Sequence, residues 1–180
     1  IMERRSAPGG VPPYGYDKQH QTASGQVLRT FRWLPDYRKQ EFSPEGKLVR
    51  VLNPDETVKK AKSDIVRYVP STPDRVAIVQ RIYAQCCDGY GYHYIAARLN
   101  EEGVPSQTGG NWNSTQVKRI LENPAYRGAL AWNRRTVGKL HGVDGKGKIR
   151  SKKKAEGDHA NPKEDWYVVE GVHEPLVSPA

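Results

Sequence analysis

The segment WNSTQVKRILENPAYRG, residues 112–128, limits the possible folds most, because it encodes a helix too short to be stable by itself. Asn113 and Gln116 have the spacing of a capping box, which predicts that the helix begins at Asn113 or Ser114. The Asn-Pro step at Pro124 ends it within about three turns. Its apolar residues fall at i, i+3 and i+4 and share an inward face: Val117, Ile120 and Leu121. A larger structure must therefore hold this helix from behind.

Two further helices are predicted before this segment. Thr72 can cap the first, with Pro73 at its first position and Asp74 in its first turn. Its inward face is expected to contain Val76, Val79, Ile82, Tyr83 and Cys86. The second helix is predicted to run from Tyr92 to Glu102. Its buried residues are expected to be Ile95, Ala96 and Leu99.

β-Strands are predicted on both sides of the helices. Residues 26–34 alternate in polarity and residues 46–52 give a second short run, so together they predict a β-hairpin or a small sheet. Residues 127–135 look like another strand, and residues 165–177 look like its return partner. The expected fold class is α+β, with a helix-turn-helix core of winged type made of three short helices and surrounding β-strands or hairpins.

Several aromatic residues near turns are expected to be structural. Tyr14, Tyr16 and Trp112 are predicted to pack in the core. Tyr126 and Gly128 are predicted to close the turn after the third helix, so that the chain can enter the next strand.

Positive charge is concentrated in one part of the chain. The net charge is +9, and residues 134–154 contain nine Lys and Arg against one Asp. This stretch therefore carries +8, which leaves the rest of the chain almost neutral. A solvated loop and a phosphate-binding arm are both compatible with such a stretch. The overall charge favours a polyanionic partner such as nucleic acid.

The outward face of the third helix is cationic and can form hydrogen bonds. At about 100° per residue, Thr115 and Arg119 point away from the apolar face, and Gln116 and Lys118 flank them. Thr115, Gln116 and Arg119 are candidates for contacts with DNA base edges. Ser114 and Lys118 are candidates for phosphate contacts. The alternative is an ordinary solvated helix face.

Other basic residues are expected to add affinity that does not depend on DNA sequence. The candidates for phosphate contact in the basic stretch are Arg134, Arg135, Lys139, Lys152, Lys153 and Lys154. Arg4 and Arg5, with the extended SAPGG segment after them, are a candidate minor-groove arm. A plain tether is the alternative for that arm.

Little in the sequence indicates catalysis or metal binding. The five His are scattered without metal-ligand spacing, and no Ser stands in a nucleophile–base motif. Asp64 and Asp74 suit a helix start better than a nuclease site. Cys86 and Cys87 are the only cysteines, and two Cys cannot build a four-cysteine zinc site. Because adjacent cysteines form only a strained disulfide, a reducing, cytoplasmic location is expected. No segment reads as a signal peptide or a membrane span.

Six segments, in this order and spacing, resemble the recombinase domain of the large serine recombinases, a family that includes serine integrases and related transposon enzymes. They are PPYGY (12–16), AIVQRIYAQCCDGYG (77–91), IAARLNEEGVPS (95–106), NW (111–112), VKRILENPAYRGAL (117–130) and WYVVEGVHEPLVS (166–178). The resemblance covers most of the chain, although residues 17–70 are only loosely patterned.

The resemblance implies that the chain is a DNA-binding part of a site-specific recombinase of a phage or transposon. In that family a separate N-terminal domain carries the nucleophilic serine, which forms a 5′-phosphoserine link with DNA, and a zinc ribbon with a coiled-coil insertion follows. Neither module is visible in this sequence, so we expect a fragment with no catalytic residues and no cofactor. Zinc is expected only in a downstream domain. The full-length protein is expected to be a dimer or tetramer in the prokaryotic nucleoid, and the fragment a monomer.

The expected organisation divides the chain in two. Residues 1–10 are interpreted as the end of an inter-domain helix and a linker, and residues 11–180 as the DNA-binding domain. Within that domain, residues 17–70 would form a β-rich excursion, residues 72–123 the helical core, and residues 126–177 a β-hairpin with a basic loop. The expected function is sequence-specific binding to half of a duplex attachment site. The alternatives are a stand-alone helix-turn-helix regulator and a basic RNA-binding domain.

Overall fold

Strands and helices occupy separate parts of the chain. The structure is a computed structural model that describes residues 6–7, 9–136, 141–143, 149–151 and 159–178. The strands before the helices are β1 (Tyr16–Gln21), β2 (Val27–Trp33), β3 (Lys39–Phe42), β4 (Leu48–Leu52) and β5 (Ile65–Pro70). The helices are α1 (Pro73–Cys87), α2 (Tyr92–Glu101) and α3 (Ser114–Leu121). The later strands are β6 (Leu130–Trp132), β7 (Arg135–Thr136), β8 (His141–Val143), β9 (Ile149–Ser151), β10 (His159–Ala160) and β11 (Tyr167–Val169). The expected α+β class is confirmed.

The first five strands form one antiparallel sheet in the order β4-β3-β2-β1-β5. Of the two structures predicted for residues 26–34 and 46–52, the small sheet is confirmed. A hairpin joining these two runs directly is wrong, because β3 lies between β2 and β4 and pairs with both. The reason is that β3, with the sequence KQEF, has a polar composition that does not resemble a strand.

Charged side chains fill much of the interior of this sheet. Lys18 and Glu41 are only 5% and 7% exposed, and both lie beside Phe31 in a row of paired residues that crosses all five strands. Arg50 Nε donates to Glu41 at 2.7 Å, and Arg29 lies 3.4 Å from the other carboxylate oxygen. Buried charges persist only when they are paired or hydrogen-bonded, and these contacts supply the partners.

The three predicted helices are confirmed. Thr72 is the N-cap residue of α1 with Pro73 at the first position, although the Thr72 side chain makes no capping hydrogen bond. Val79 and Ile82 of α1 are fully buried. In α2, Ile95 and Leu99 are likewise 0% exposed, and the helix ends at Glu101, one residue before the predicted end. Apolar periodicity was a sufficient signal here because these faces pack on one another.

Tyrosine side chains connect the sheet to the helical part. The Tyr16 hydroxyl donates to the backbone carbonyls of Ala125 and Glu174, both at 2.9 Å. The Tyr126 hydroxyl donates to the carbonyl of Tyr14 at 2.9 Å. Burial raises the pKa of both Tyr16 and Tyr126, which keeps their hydroxyl groups protonated as donors. The prediction that Tyr14, Tyr16, Trp112 and Tyr126 are structural is confirmed by their burial.

The strands after the helices confirm the predicted return partner. β6 pairs antiparallel with β11, with Ala131 opposite Val168. Between them, β7 pairs with β10 and β8 pairs with β9. Gly128 turns the chain toward β6 with φ of 82°, and a Cβ atom there would lie 2.7 Å from the carbonyl oxygen of His173. The predicted closing role of Gly128 therefore follows from both its conformation and its close contact.

Candidate nucleic-acid interface

Helix α3 begins with the capping box that its sequence predicts. The Asn113 side chain accepts a hydrogen bond from the backbone N–H of Gln116 at 3.0 Å. In return, Gln116 Oε1 accepts one from the backbone N–H of Asn113 at 2.9 Å. These two reciprocal hydrogen bonds satisfy N–H groups in the first turn and fix the start of the helix at Ser114.

The inner side of α3 is anchored in the core. Val117 is 0% and Ile120 is 6% exposed, and Leu121 packs against the same apolar cluster. Just before the helix, the amide N–H of Trp112 donates to Asn100 Oδ1 at 2.7 Å. Trp112 Nε1 donates to the carbonyl of residue 104 at 3.0 Å. These contacts fix the entry of α3 to the end of α2.

The end of α3 is held as firmly as its start. The hydroxyl of Tyr83 on α1 donates to the last carbonyls of the helix, at 3.0 Å to Ile120 and 3.4 Å to Leu121. Asn123 then caps a short 3₁₀ helix, Pro124–Arg127, whose Tyr126 is 1% exposed. A helix of this length is unstable in isolation, so packing and caps at both ends hold it in place.

The outer side of α3 presents a cationic surface. Thr115, Lys118, Arg119 and Glu122 are exposed. Lys118 Nζ and a Glu122 carboxylate oxygen are 3.9 Å apart as an exposed i, i+4 pair. Such a surface ion pair is weak, so Glu122 only slightly reduces the positive charge that Lys118 presents to a partner. Arg119 makes no hydrogen bond or ion pair with any residue that the structure describes. Its guanidinium group is therefore available to a partner.

The structure distinguishes among the predicted contact residues of α3. Thr115 and Arg119 are exposed side by side on the free face, as predicted. Gln116 is half-buried and its side-chain oxygen is used by the capping box, so it cannot make a bidentate contact with adenine without giving up that bond. Ser114 is also half-buried in the first turn.

Arg134 has contacts of its own within the protein. Its guanidinium lies 4.8 Å from the centre of the Trp166 ring and donates to Asn123 Oδ1 at 3.3 Å. Burial lowers the pKa of Arg134, and nearby Glu122 opposes that shift. Arg134 thus links the base of the basic stretch to the segment that follows α3. A phosphate contact remains a prediction for this residue, but its main contacts are internal.

A network of hydrogen bonds joins the start of the basic stretch to the segment that follows it. Asn133 has φ of 58°, a left-handed conformation that Asn adopts more readily than most residues. The buried Asn161 side chain donates to the carbonyl of Asn133 at 2.7 Å, and its backbone N–H donates to the carbonyl of Arg134 at 3.0 Å. Trp166 Nε1 donates to the carbonyl of Asn161 at 3.0 Å. We call these residues, 133, 134, 161 and 166, the amide clamp.

The remaining predicted contacts fall mostly outside the described residues. Arg4, Arg5, Lys139, Lys152, Lys153 and Lys154 lie outside them. Arg135 lies in β7, whose backbone pairs with β10 at Ala160.

Sequence reasoning missed two groups of exposed residues near α3 and α2. Arg127 and Lys163 are exposed and line a cavity of about 500 Å³ together with Glu122 and Trp166. Tyr90, Tyr92 and Tyr94 are 39–48% exposed at the start of α2, and the rings of Tyr90 and Tyr94 stack 4.8 Å apart. The segment GYGYHY contained the signal, because its tyrosines are spaced by two and not by the three or four residues of a buried helical face.

Two further features of the described residues concern metals and membranes. Among them, no group of three or more His, Cys, Asp or Glu could hold a metal ion. Within the same residues, no helix has the length and apolarity needed to cross a membrane.

Part of the chain matches the model of a known protein family. The family model described as Recombinase matches residues 73–180. The matched range begins at α1 and includes α3 with its cationic face, whereas the five-stranded sheet lies before it.

Proposed function

This chain belongs to the Recombinase family, and we propose that it is the duplex-DNA-binding domain of a large serine site-specific recombinase. Membership gives the chain a role in recombination. The observation that carries the DNA-binding proposal is the outer face of α3, where Thr115, Lys118 and Arg119 are exposed on a helix whose opposite side is buried. Sequence choice would reside in this face.

The proposed geometry places α3 in the major groove. That groove is about 12 Å wide and admits an α-helix. Arg119 can donate two hydrogen bonds to O6 and N7 of guanine, and Thr115 can contact a base edge or a thymine methyl group. Lys118 is suited to a phosphate, since a flexible ammonium group is a point charge with little geometric selectivity. Glu122 at the end of the helix would be repelled by phosphates, so the start of α3 should enter deepest.

We further propose that α2 and α3 act as a helix-turn-helix of winged type, with the β6–β11 pair as the wing. α2 and α3 pack on each other through buried residues that include Ile95 and Val117. The connection between them, residues 102–113, is longer than the turn of about three or four residues in the simplest such motif. Trp112 and Asn100 compensate for this length because they fix the end of the connection to α2.

The basic stretch would add affinity for any duplex. Residues 134–154 carry nine Lys and Arg, and each phosphate contact releases counterions and steepens the dependence on salt. Arg4 and Arg5 would serve as a minor-groove arm. The amide clamp would bring the base of this stretch next to the end of α3, because Arg134 bonds to Asn123.

The chemistry would reside elsewhere in a longer protein. In this proposal the strand-cleaving serine belongs to a separate catalytic domain, and zinc belongs to a downstream ribbon. The chain alone would then be a monomer that binds one half of an attachment site without cleaving it, and the longer protein would assemble as a dimer or tetramer on DNA in the nucleoid.

The test of base recognition is Arg119→Ala. The preferred half-site is first selected from a random duplex library, and affinity is then measured for that site and for each single-base change. We expect a loss of about 1–3 kcal/mol on the preferred site and relaxed preference at one base pair.

The matched control is Arg38→Ala, which removes an exposed arginine from the β2–β3 turn, where it pairs with Asp36. It should leave base preference unchanged. The recognition role of α3 is refuted if Arg119→Ala also leaves base preference unchanged. Structured RNA serves as competitor, because an A-form major groove excludes a helix, and equal competition by RNA would contradict major-groove binding.

The basic stretch is tested by changing Lys152, Lys153 and Lys154 to Gln together. Preferred and scrambled duplexes should lose affinity by the same factor, and the salt dependence should flatten by roughly one unit of slope for each phosphate that the variant no longer neutralises. A loss confined to the preferred site would show that these lysines read sequence.

A further inference from the structure

A second concave surface lies on the five-stranded sheet, in the part of the chain that precedes the family match. It is a cavity of about 600 Å³ between one face of the sheet, the segments 6–7 and 9–11, and residues after β4. Pockets for small ligands have volumes of about 300–1,000 Å³, so this one is large enough for a ligand of several rings.

The charged side chains that line this cavity, among the described residues, are all lysines. Lys18, Lys39 and Lys60 line it, and none of the described residues that line it is Asp or Glu. Lys18 is 5% exposed and donates to the carbonyl of Gly10 at 2.5 Å. Lys39 and Lys60 donate to backbone carbonyls and lie near no carboxylate at ion-pair distance within the described residues. Such a surface favours an anion.

The walls of the cavity are aromatic. Phe31 and Trp33 line it from β2, with ring centres 6.5 Å apart in an edge-to-face arrangement. Tyr37 lines it from the turn after β2 and is 47% exposed. Lys18 Nζ lies 5.6 Å from the Trp33 ring, so a cation and an aromatic surface adjoin. Aromatic side chains beside cations are the elements with which proteins bind unpaired nucleotides.

One polar group of the cavity has unused hydrogen-bonding capacity. His20 lines the cavity but is only 8% exposed, and its Nδ1 is buried and has no hydrogen-bond partner among the described residues, so a small side-chain movement would be needed to bring it to a ligand. Burial lowers the pKa of His20 to about 4. A neutral imidazole offers one donor and one acceptor, as the edge of a nucleobase does.

We propose that this cavity binds a single nucleotide with an unpaired base. The phosphate would lie against Lys39 and Lys60, the base against Trp33 and Tyr37, and the base edge near His20. The ligand chemistry has two sources, which are a free mononucleotide and an unpaired nucleotide of a DNA strand. The site makes no use of α3, so it is independent of the duplex-binding proposal.

The experiment measures binding by isothermal calorimetry with the whole chain. The probes are deoxyadenosine 5′-monophosphate, deoxyadenosine, inorganic phosphate, a short single-stranded oligodeoxynucleotide and a blunt hairpin duplex. The test variants are Tyr37→Asn and Lys39→Gln. Asn suits position 37 because φ there is 65°, a conformation that Asn tolerates.

The matched controls remove the same groups from surfaces away from the cavity lining. Tyr90→Asn removes a tyrosine of equal exposure, 46%, from the start of α2. Lys47→Gln removes an exposed lysine from the β3–β4 turn. We expect each test variant to weaken binding of the nucleotide or the single strand about tenfold, the scale of losing one stacking or ionic partner, and the controls to leave it unchanged.

Each outcome bears on the proposal. Binding of the mononucleotide that the test variants weaken supports a free nucleotide as ligand, whereas binding of the single strand alone, weakened in the same way, supports a DNA strand. Inorganic phosphate binding as tightly as the nucleotide overturns the site as proposed, as does equal binding by test and control variants or no saturable binding. Arg119→Ala should leave single-strand binding intact, and Tyr37→Asn should leave duplex preference intact, so the two proposals fail separately.

Discussion

The helical part of the molecule and the five-stranded sheet have different interiors. The helices bury aliphatic side chains, and Val79, Ile82, Ile95 and Leu99 are all 0% exposed. β1 and β3 instead bury charged and polar residues: Asp17, Lys18, His20 and Glu41. Asp17, for example, accepts from Arg32 at 2.9 Å and from Ser71 at 2.8 Å.

The two interiors are stabilised in different ways. An aliphatic interior gains free energy from burial alone and does not depend on protonation. A polar interior loses free energy through desolvation and regains it only through specific partners, so it responds to pH and to single substitutions of those partners. The helical part therefore provides a stable base for α3, whereas the sheet buries titratable groups, two of which, Lys18 and His20, line its cavity.

The largest expected effect compares two leucines. Leu99→Ala should lower the free energy of unfolding by about 2–5 kcal/mol, because it leaves a hole in the helical interior. Leu48→Ala on the edge strand β4 should change it by less than about 0.5 kcal/mol, since Leu48 is already 53% exposed. Urea unfolding of both variants measures the contrast, and equal losses would contradict the placement of Leu99 in the aliphatic interior.

The second prediction concerns pH. Burial, then the charge of Arg29, lowers the pKa of His20 to about 4, against about 6.5 in an unfolded chain. Nearby Lys60 and Lys18 lower it further, and Asp64 opposes them. Between these values the unfolded chain binds a proton that the folded chain does not, so His20 favours folding fully above pH 6.5 and this contribution falls by about 2–3 kcal/mol as the pH drops toward 4.

His20→Gln removes this effect and should flatten the fall in unfolding free energy between pH 7 and about 4.5. The exposed His93→Gln is the control and should keep the original slope. Burial also lowers the pKa of His173, which packs against Tyr16 of β1 and Tyr68 of β5, so a residual slope should remain. An unchanged slope in His20→Gln would show that the sheet does not impose this cost.

The third prediction tests the junction between the two parts. Gly109, in the connection before α3, has φ of 76°, and a Cβ atom there would lie 2.9 Å from Pro35 Cβ in the β2–β3 turn. Gly109→Ala should cost about 1–2 kcal/mol of unfolding free energy, from backbone strain and this contact. Gly110→Ala is the control, because a Cβ there meets no atom within 4 Å. Equal free energies of unfolding for the two variants would show that the β2–β3 turn does not pack against the connection before α3.

The smallest expected effect concerns the capping box of α3. Gln116→Ala removes the side chain that accepts from Asn113 and should cost about 0.5–1 kcal/mol. Thr115→Ala on the free face should be close to neutral. Thermal unfolding distinguishes them, and a cost for Gln116→Ala as large as that for Leu99→Ala would mean that local capping and not packing holds the helical part together.

The helices were predictable because their signals are local. Pro73 at a helix start, the pairing of Asn113 with Gln116, and apolar residues at i, i+3 and i+4 each act within one turn or two. The sheet was not predictable in detail, because β1 reads YDKQHQ and buries residues that sequence patterns assign to the surface. Their partners, such as Arg32 for Asp17, lie on other strands and leave no trace in local periodicity.

The outer face of α3 shows the same limit of sequence-based prediction. The pattern placed Thr115 and Arg119 on the outside correctly. It did not reveal that the side-chain oxygen of Gln116 belongs to the capping box, or that Arg134 stacks on Trp166. The same type of side chain can bind a ligand or make a contact within the protein, and the sequence pattern does not distinguish the two. Contacts between residues far apart in sequence decide between these uses.

The amide clamp has a consequence for how this chain can change. Because Asn161 bonds to both Asn133 and Arg134, the chain between them begins and ends at one fixed point on the surface. Added length in a loop with fixed ends costs free energy only as the logarithm of that length. A peptide tag inserted between residues 134 and 161 should therefore cost little free energy of unfolding, provided that the β7–β10 and β8–β9 pairs are left intact.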